Sequence, residues 1–362
     1  MKEVKTKKDI SGIRIDPPDK AAAEKAKSVF DGIAKPLDGL GDLEGMICRI
    51  AGIMHTEDIN VGRRAAVIMC ADNGIVEEGV SQSGKEVTLA VARALGKGIS
   101  SACTLGRAAR VDVIPVDIGI DCDERIRGVR DHKVAKGTRN FLKQPAMTEK
   151  EMLKALETGI EITRELKKSG YDMLITGEMG IGNTTTSTAV LAAALDLDSD
   201  GITGRGAGID DEGLSWKKEV IREALGRYRF NDEKDEAERA FNILRSVGGL
   251  DIAGLAGLAI GGALCKVPVV LDGLISSAAA VIADMMVPGV RDYLLPSHAG
   301  REKGNMSALS YLGLSPYLNC NMALGEGTGG ILLFSLIDAV YAFYKNAAGF
   351  SDYCMDEYRR HS

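Results

Sequence analysis

Apolar and polar positions along this chain change period several times, and each change marks an element. From 17 to 55 the spacing is helical, over Ala21–Ala26 and Asp42–Ile53 with the turn KPLDGLGDLE between. Short apolar runs then predict buried strands at Arg64–Cys70, Val111–Ile118, Met173–Thr176 and Val267–Leu271. The helical period returns between them, at Glu86–Leu95, Glu149–Ser169, Thr185–Ala194, Leu214–Leu225 and Glu236–Val247, and again at Met306–Leu312 and Gly330–Lys345. Strands alternating with helices imply right-handed βαβ units. The expected fold is therefore α/β: a doubly wound, mostly parallel, Rossmann-like sheet with a small helical subdomain built from both chain ends. The expected division is a large α/β domain over 60–300 and a helical subdomain from 1–59 and 301–362.

Composition narrows the functions available. The 362 residues carry 45 Lys plus Arg against 51 Asp plus Glu, a net charge of −6, which gives no electrostatic reason to expect nucleic acid or an anionic membrane as partner. The charged start, with Lys2, Glu3, Lys5, Lys7 and Lys8, is not a secretory signal. The uncharged stretch Ile252–Cys265 falls short of the ~20 residues a bilayer span needs. Its Gly257 and Gly261 predict close helix packing instead. Seven cysteines stand apart with no CxxC spacing, and four histidines form no HExxH. That pattern predicts no metal site, no disulfide framework, and thiols kept reduced in the cytoplasm. The 43 glycines are a marked excess over the usual ~7 %. Glycine collects where backbone must approach something closely.

In a doubly wound sheet, ligands bind beyond the carboxyl ends of the strands, so the glycine-rich loops there are the candidates. GEMGIGNTT at 177–185 opens a helix and is neither GxGxxG nor a P-loop. It is open to two readings, an anion cradle at a helix N-terminus or a helix capped by Asn183, Thr184 and Thr185. GRGAG at 204–208 precedes Lys217, a phosphate partner or an ordinary helix-surface lysine. GEGTGG at 325–330 flanks Glu326 with glycines, as a capping acid or as a general base. The polar loop over 72–85 and Asp272-Gly273 complete the set. Three anion-capable loops with the isolated acids Glu178 and Glu326 suggest transfer chemistry on a phosphorylated metabolite.

Taken together, these segments resemble the nicotinate-nucleotide:dimethylbenzimidazole phosphoribosyltransferase family. The resemblance runs over nearly the whole chain: LGDLE at 40–44, ADNGIVEEGVS at 71–81, PAMT at 145–148, GEMGIGNTT at 177–185, GRGAG at 204–208, GGLDIAGLAG at 248–257, VPVVLDG at 267–273, PSHAGREKG at 296–304 and LGEGTGG at 324–330. It implies transfer of ribose 5-phosphate from nicotinate mononucleotide to an aromatic base of the cobamide lower-ligand type, with inversion at C1 and release of nicotinate. By this resemblance Glu326 matches the general base, and Glu178 matches an acid near the ribose that stabilises a developing cationic C1. Met179, Gly180, Gly206, Ala207, Lys217 and Gly327 fall at nucleotide- and phosphate-binding positions, and Ser83 beside the incoming base. No cofactor and no metal is implied, and 60–300 becomes the nucleotide-binding domain.

The chain departs from the family pattern in places. Asn73 stands where the family has His, Ala207 where it has Thr, and Gly300 where it has a second Ser. Benzimidazole-using members carry Gln eight residues after the base-side serine, where this chain has Val91. The identity of the base therefore stays open between a benzimidazole and a phenol or p-cresol. The latter are substrates of relatives that work as heterodimers of homologous chains. The resemblance is compatible with a homodimer, with such a heterodimer, or with a non-catalytic partner subunit.

Overall fold

The computed structural model describes residues 4–360; the start of the charged N-terminal segment lies outside the described residues. Six strands form one sheet in which every pairing is parallel. They are β1 (Arg64–Ala71), β2 (Asp112–Gly119), β3 (Arg130–Asp131), β4 (Met173–Met179), β5 (Val269–Leu271) and β6 (Leu294–Pro296), in the order β3-β2-β1-β4-β5-β6. This is the doubly wound order, in which the winding reverses between β1 and β4. A short parallel pair, β7 (His298–Gly300) and β8 (Leu318–Met322), follows beyond β6.

The central strand shows how composition becomes architecture. Every residue of β1 is buried. Ala65, Val67 and Met69 belong to one apolar cluster, and Ala66, Ile68 and Cys70 to the other. That is the two-residue period of a strand covered on both faces, and it explains why the run is apolar throughout. The helices Lys20–Gly32, Asp42–Met54 and Thr328–Asn346, from the two chain ends, join the second cluster. They meet through the Phe30 and Tyr344 rings, 5.1 Å apart, and through Tyr344 Oη donating to the Glu57 carbonyl at 2.9 Å.

Two strand boundaries differ from expectation by more than one residue. β4 continues to Met179 because Gly177, Glu178 and Met179 still pair with Ile68, Met69 and Cys70, so Glu178 sits on the strand rather than in a loop. β5 starts at Val269, after Pro268, which has no N–H to offer the ladder. The helices Ser101–Ala109 and Leu274–Met286 add to the expected set, and the stretch around Gly257 and Gly261 read as a packing helix runs as Leu250–Cys265. Leu250–Cys265 and Leu274–Met286 are buried on almost every side, their few polar residues Asp251, Ser276, Ser277 and Asp284 included, which leaves little of an exposed polar face to read.

Helix Leu250–Cys265 packs on Glu149–Lys168 through the glycines that suggested it. A Cβ on Gly257 would lie 2.0 Å from the Leu156 carbonyl oxygen, one on Gly159 2.0 Å from that of Gly254, and one on Gly261 2.8 Å from Thr163. The helices cannot hold this spacing with a side chain between them. Gly257→Ala is expected to destabilise the protein by about 1–3 kcal/mol in urea unfolding, the usual cost of overpacking. Gly226→Ala, at a helix position with open space around it, should be neutral or slightly stabilising.

Candidate active site

One cleft of about 220 Å³ lies at the carboxyl ends of β4, β5 and β6, and all three glycine-rich loops reach it. The end of β4 and the first loop supply Glu178, Met179, Gly180 and Thr184, the second loop Gly206 and Ala207, and the third Gly325 and Glu326. Asp272, His298, Arg301 and Glu302 line it as well.

The Glu326 loop has an unusual backbone. Gly325, Glu326 and Gly327 have φ of +84°, +56° and +75°, three left-handed residues in succession. Glycine accepts this readily, and the glutamate accepts it only because its surroundings hold it there. A Cβ on Gly325 would also meet Glu178 Oε1 at 2.9 Å, so the turn carrying Glu326 lies directly against the Glu178 carboxylate. Glu326 Oε2 accepts the Ala102 N–H at 3.0 Å, at the start of helix Ser101–Ala109. Asp272 anchors the turn from below. Its Oδ1 accepts the Gly329 N–H at 2.7 Å and its Oδ2 that of Gly327 at 3.2 Å, inside the N-terminus of helix Thr328–Asn346.

Three buried acids at the cleft, Glu178, Asp251 and Asp272, are driven towards their neutral forms. Burial pushes Glu178 up to about 8, with the charges of Asp251, Asp272 and Glu326 adding to the effect and the Asn183 amide opposing it. Asp251, wholly buried, is pushed up to about 6 by the same cause. Asn183 Nδ2 donates both to Glu178 and to Asp251, the latter at 3.0 Å. Asn183 is therefore not the helix cap: Gly182 occupies that position, with φ of +90°, and no side chain caps the helix Asn183–Leu195. Burial also raises Asp272, against the pull of His298 and of the backbone N–H groups it accepts.

Lys217 is not a surface lysine. Only 1 % of it is exposed, its Nζ donates to Thr184 Oγ1 at 3.0 Å, and burial brings it down to about 8. It lies behind the second loop, where a Cβ on Gly206 would be 3.5 Å from Nζ. A buried ammonium with a hydroxyl partner and no carboxylate within ion-pair distance among the described residues is suited to receive an anion.

Among the residues singled out from sequence, Glu178, Glu326, Met179, Gly180, Gly206 and Ala207 line the cleft, while Lys217, Gly327 and Ser83 do not. Lys217 reaches it through Thr184, and Gly327 lies against β4, where a Cβ on it would be 3.3 Å from the Gly177 Cα, with its N–H turned to Asp272. Ser83 is half-buried in the loop before helix Glu86–Gly96. That helix meets the first glycine loop where Ile181 donates its N–H to Thr88 Oγ1 at 3.1 Å. Sequence reasoning did not single out Asp251, His298 or Glu302. A lone acid opening the apolar helix Leu250–Cys265 was the available signal for Asp251.

A family model described as a phosphoribosyltransferase matches residues 15–353. The chain is similar to a nicotinate-nucleotide–dimethylbenzimidazole phosphoribosyltransferase of Acetivibrio thermocellus, 43% identical over 91% of this chain and 93% of that protein. It is equally similar to one of Ruminiclostridium cellulolyticum, 43% identical over 93% and 94%. Its fold matches the crystal structure of CobT from Thermus thermophilus with a TM-score of 0.87 and 34% identity, covering 93% of this chain and 100% of that one.

The raised Glu178 fixes how stability changes with pH. Below its ordinary value of 4.5 both folded and unfolded chains hold the proton. Between 4.5 and about 8 only the folded chain does, so stability falls as pH rises through that window. Glu178→Gln, a neutral isostere of the protonated acid, should match the wild type in Tm near pH 5 and exceed it at pH 8. Parallel Tm curves across the window would show that Glu178 holds no such proton.

Proposed function

This chain belongs to the nicotinate-nucleotide–dimethylbenzimidazole phosphoribosyltransferase family, and from that premise we propose that it moves ribose 5-phosphate from nicotinate mononucleotide to a benzimidazole-type base. The products are nicotinate and an α-ribosyl nucleotide with C1 inverted. The carrying observation is the convergence, in one cleft, of two carboxylates and a glycine loop backed by a buried, anion-ready lysine. The relatives named for dimethylbenzimidazole favour that acceptor over a phenol, and a catalytic chain over a silent partner subunit.

The roles follow from the surroundings of each group. Glu326, held by one backbone N–H at the cleft, takes the proton of the attacking base. Glu178, beside it and neutralised by burial, becomes an effective counter-charge once the positive pyridinium of the bound nucleotide favours its ionised form and its proton passes to solvent. As the C–N bond to nicotinate breaks, positive charge gathers at C1, and a carboxylate fixed nearby in a poorly hydrated site stabilises it strongly. Nicotinate leaves from a cationic ring, taking the bonding electrons and becoming neutral at nitrogen, so the leaving group needs no proton. Gly206, Ala207 and Lys217 receive the phosphate, Met179 and Gly180 the ribose side, and Ser83 the base. Assembly as a homodimer belongs to the same reading, supported by the exposed Leu324 and Leu332 flanking Glu326.

Incubation of the protein with nicotinate mononucleotide and dimethylbenzimidazole, adenine or phenol, with products read by mass spectrometry, tests the assignment. Glu326→Gln should cut turnover by ~10²–10⁴ while nucleotide binding survives; unchanged turnover would remove Glu326 from the chemistry. Lys217→Met should raise KM for the mononucleotide by about 10–100-fold, the weight of a charge-assisted hydrogen bond.

A further inference from the structure

Glu302 stands at the N-cap of helix Lys303–Tyr311, yet its side chain makes no capping bond. Its carboxylate turns the other way, into the cleft. Oε1 accepts the Gly206 N–H at 3.1 Å, and Oε2 is buried without a hydrogen-bond partner. The approach is so close that a Cβ on Gly204 would fall 1.6 Å from Oε2, so only glycine at 204 admits the carboxylate there. The same negative charge acts on Lys217, whose Nζ has the Thr184 hydroxyl beside it. A carboxylate with one buried oxygen unsatisfied gives up hydration to remain where it is. It is held by the Gly206 N–H and lies in the field of the Lys217 ammonium, the two groups that would otherwise meet a phosphate.

We propose that Glu302 is an internal occupant of the phosphate seat, whose carboxylate sits on the Gly206 N–H in the protein alone and withdraws when a substrate phosphate arrives. The proposal rests on the reading of Gly206 and Lys217 as that seat. Two consequences follow for binding. An occupied seat lowers the apparent affinity for any phosphate by the fraction of time it is free. It also discriminates among ligands, because a doubly charged phosphate can displace the carboxylate where a neutral ribosyl group cannot. Glu302 is thus a specificity-setting residue, favouring nucleotides over nucleosides without touching the reacting C1.

Calorimetric titration of the full chain with inorganic phosphate at pH 7 tests this in the wild type, Glu302→Gln, Glu302→Ala and Lys217→Met. Removing the competing charge should tighten phosphate binding about tenfold in both Glu302 variants, while Lys217→Met weakens it relative to wild type. The two Glu302 substitutions differ in shape and in hydrogen bonding, so a folding defect in one leaves the other to decide. Equal or weaker phosphate binding in the Glu302 variants, with Lys217→Met still weakened, overturns the occupant and leaves the seat standing. Wild-type phosphate binding in Lys217→Met instead overturns the seat itself, and with it the occupant.

Discussion

Asp272 sits at the end of β5 with both carboxylate oxygens inside the N-terminus of helix Thr328–Asn346, accepting the N–H groups of Gly327 and Gly329, and the shape of the cleft follows from that contact. A helix N-terminus offers unpaired N–H donors and a partial positive charge, and a strand-end carboxylate supplies what it lacks. The bond fixes the turn 325–327 in its left-handed course and aims Glu326 at the space over β4. Glycine is needed where the carboxylate approaches: a Cβ on Gly329 would lie 2.0 Å from His298 Nδ1 and 2.8 Å from Asp272 Oδ1. Sheet, helix and candidate base are thereby one rigid unit, rather than a flexible loop carrying an acid.

The cleft by itself is electrostatically uncomfortable in a way that complements its proposed substrate. Four carboxylates, those of Glu178, Asp251, Asp272 and Glu326, lie close enough for their charges to oppose one another. Burial keeps Glu178 largely protonated at neutral pH, raises Asp251 to about 6 and lowers Lys217 to about 8, so that each holds its charge less firmly than in water. Nicotinate mononucleotide carries a cationic ring at one end and an anionic phosphate at the other. The ring would restore charge to the acids, and the phosphate would restore it to the lysine. Each group is thus poised to gain its working charge on binding, a form of preorganisation in which protein dipoles and charges need little rearrangement as C1 becomes positive.

What the sequence made legible was set by periodicity and by loop chemistry. β1 and the amphipathic helices Glu149–Lys168 and Glu236–Val247 stand out because burial on known faces imposes a known period. Leu250–Cys265 and Leu274–Met286 are buried all round, so their helical period is invisible. β6 is only Leu-Leu-Pro, too short for any pattern, and β8 is largely exposed and polar. Glycines pointed to the three loops that reach the cleft. They could not show that Lys217 is buried, that Asn183 bridges two acids, or that Glu302 turns away from its own helix. Those facts depend on which distant segment comes to lie opposite, a property of the sheet order rather than of any local stretch.

The departures from the family pattern can now be weighed by place. Ala207 lines the cleft beside the Gly206 N–H, which is donated to Glu302, so on the proposed reading losing a threonine hydroxyl leaves the phosphate seat its backbone donor. Val91 lies on helix Glu86–Gly96 and shares an apolar cluster with Leu89 and Met179. On the proposed reading, the base would meet a wall that recognises it by shape and apolar contact. Such walls discriminate weakly, about 1–3 kcal/mol per methylene, whereas a buried hydrogen-bonding group rejects an analogue lacking its partner by roughly 10⁴ or more. A chain with valine here should therefore accept several flat aromatic bases. What selects among them is then the proton that Glu326 removes on this reading, since a base is a substrate only if it can give up an N–H or O–H proton to a carboxylate as its attacking atom bonds to C1.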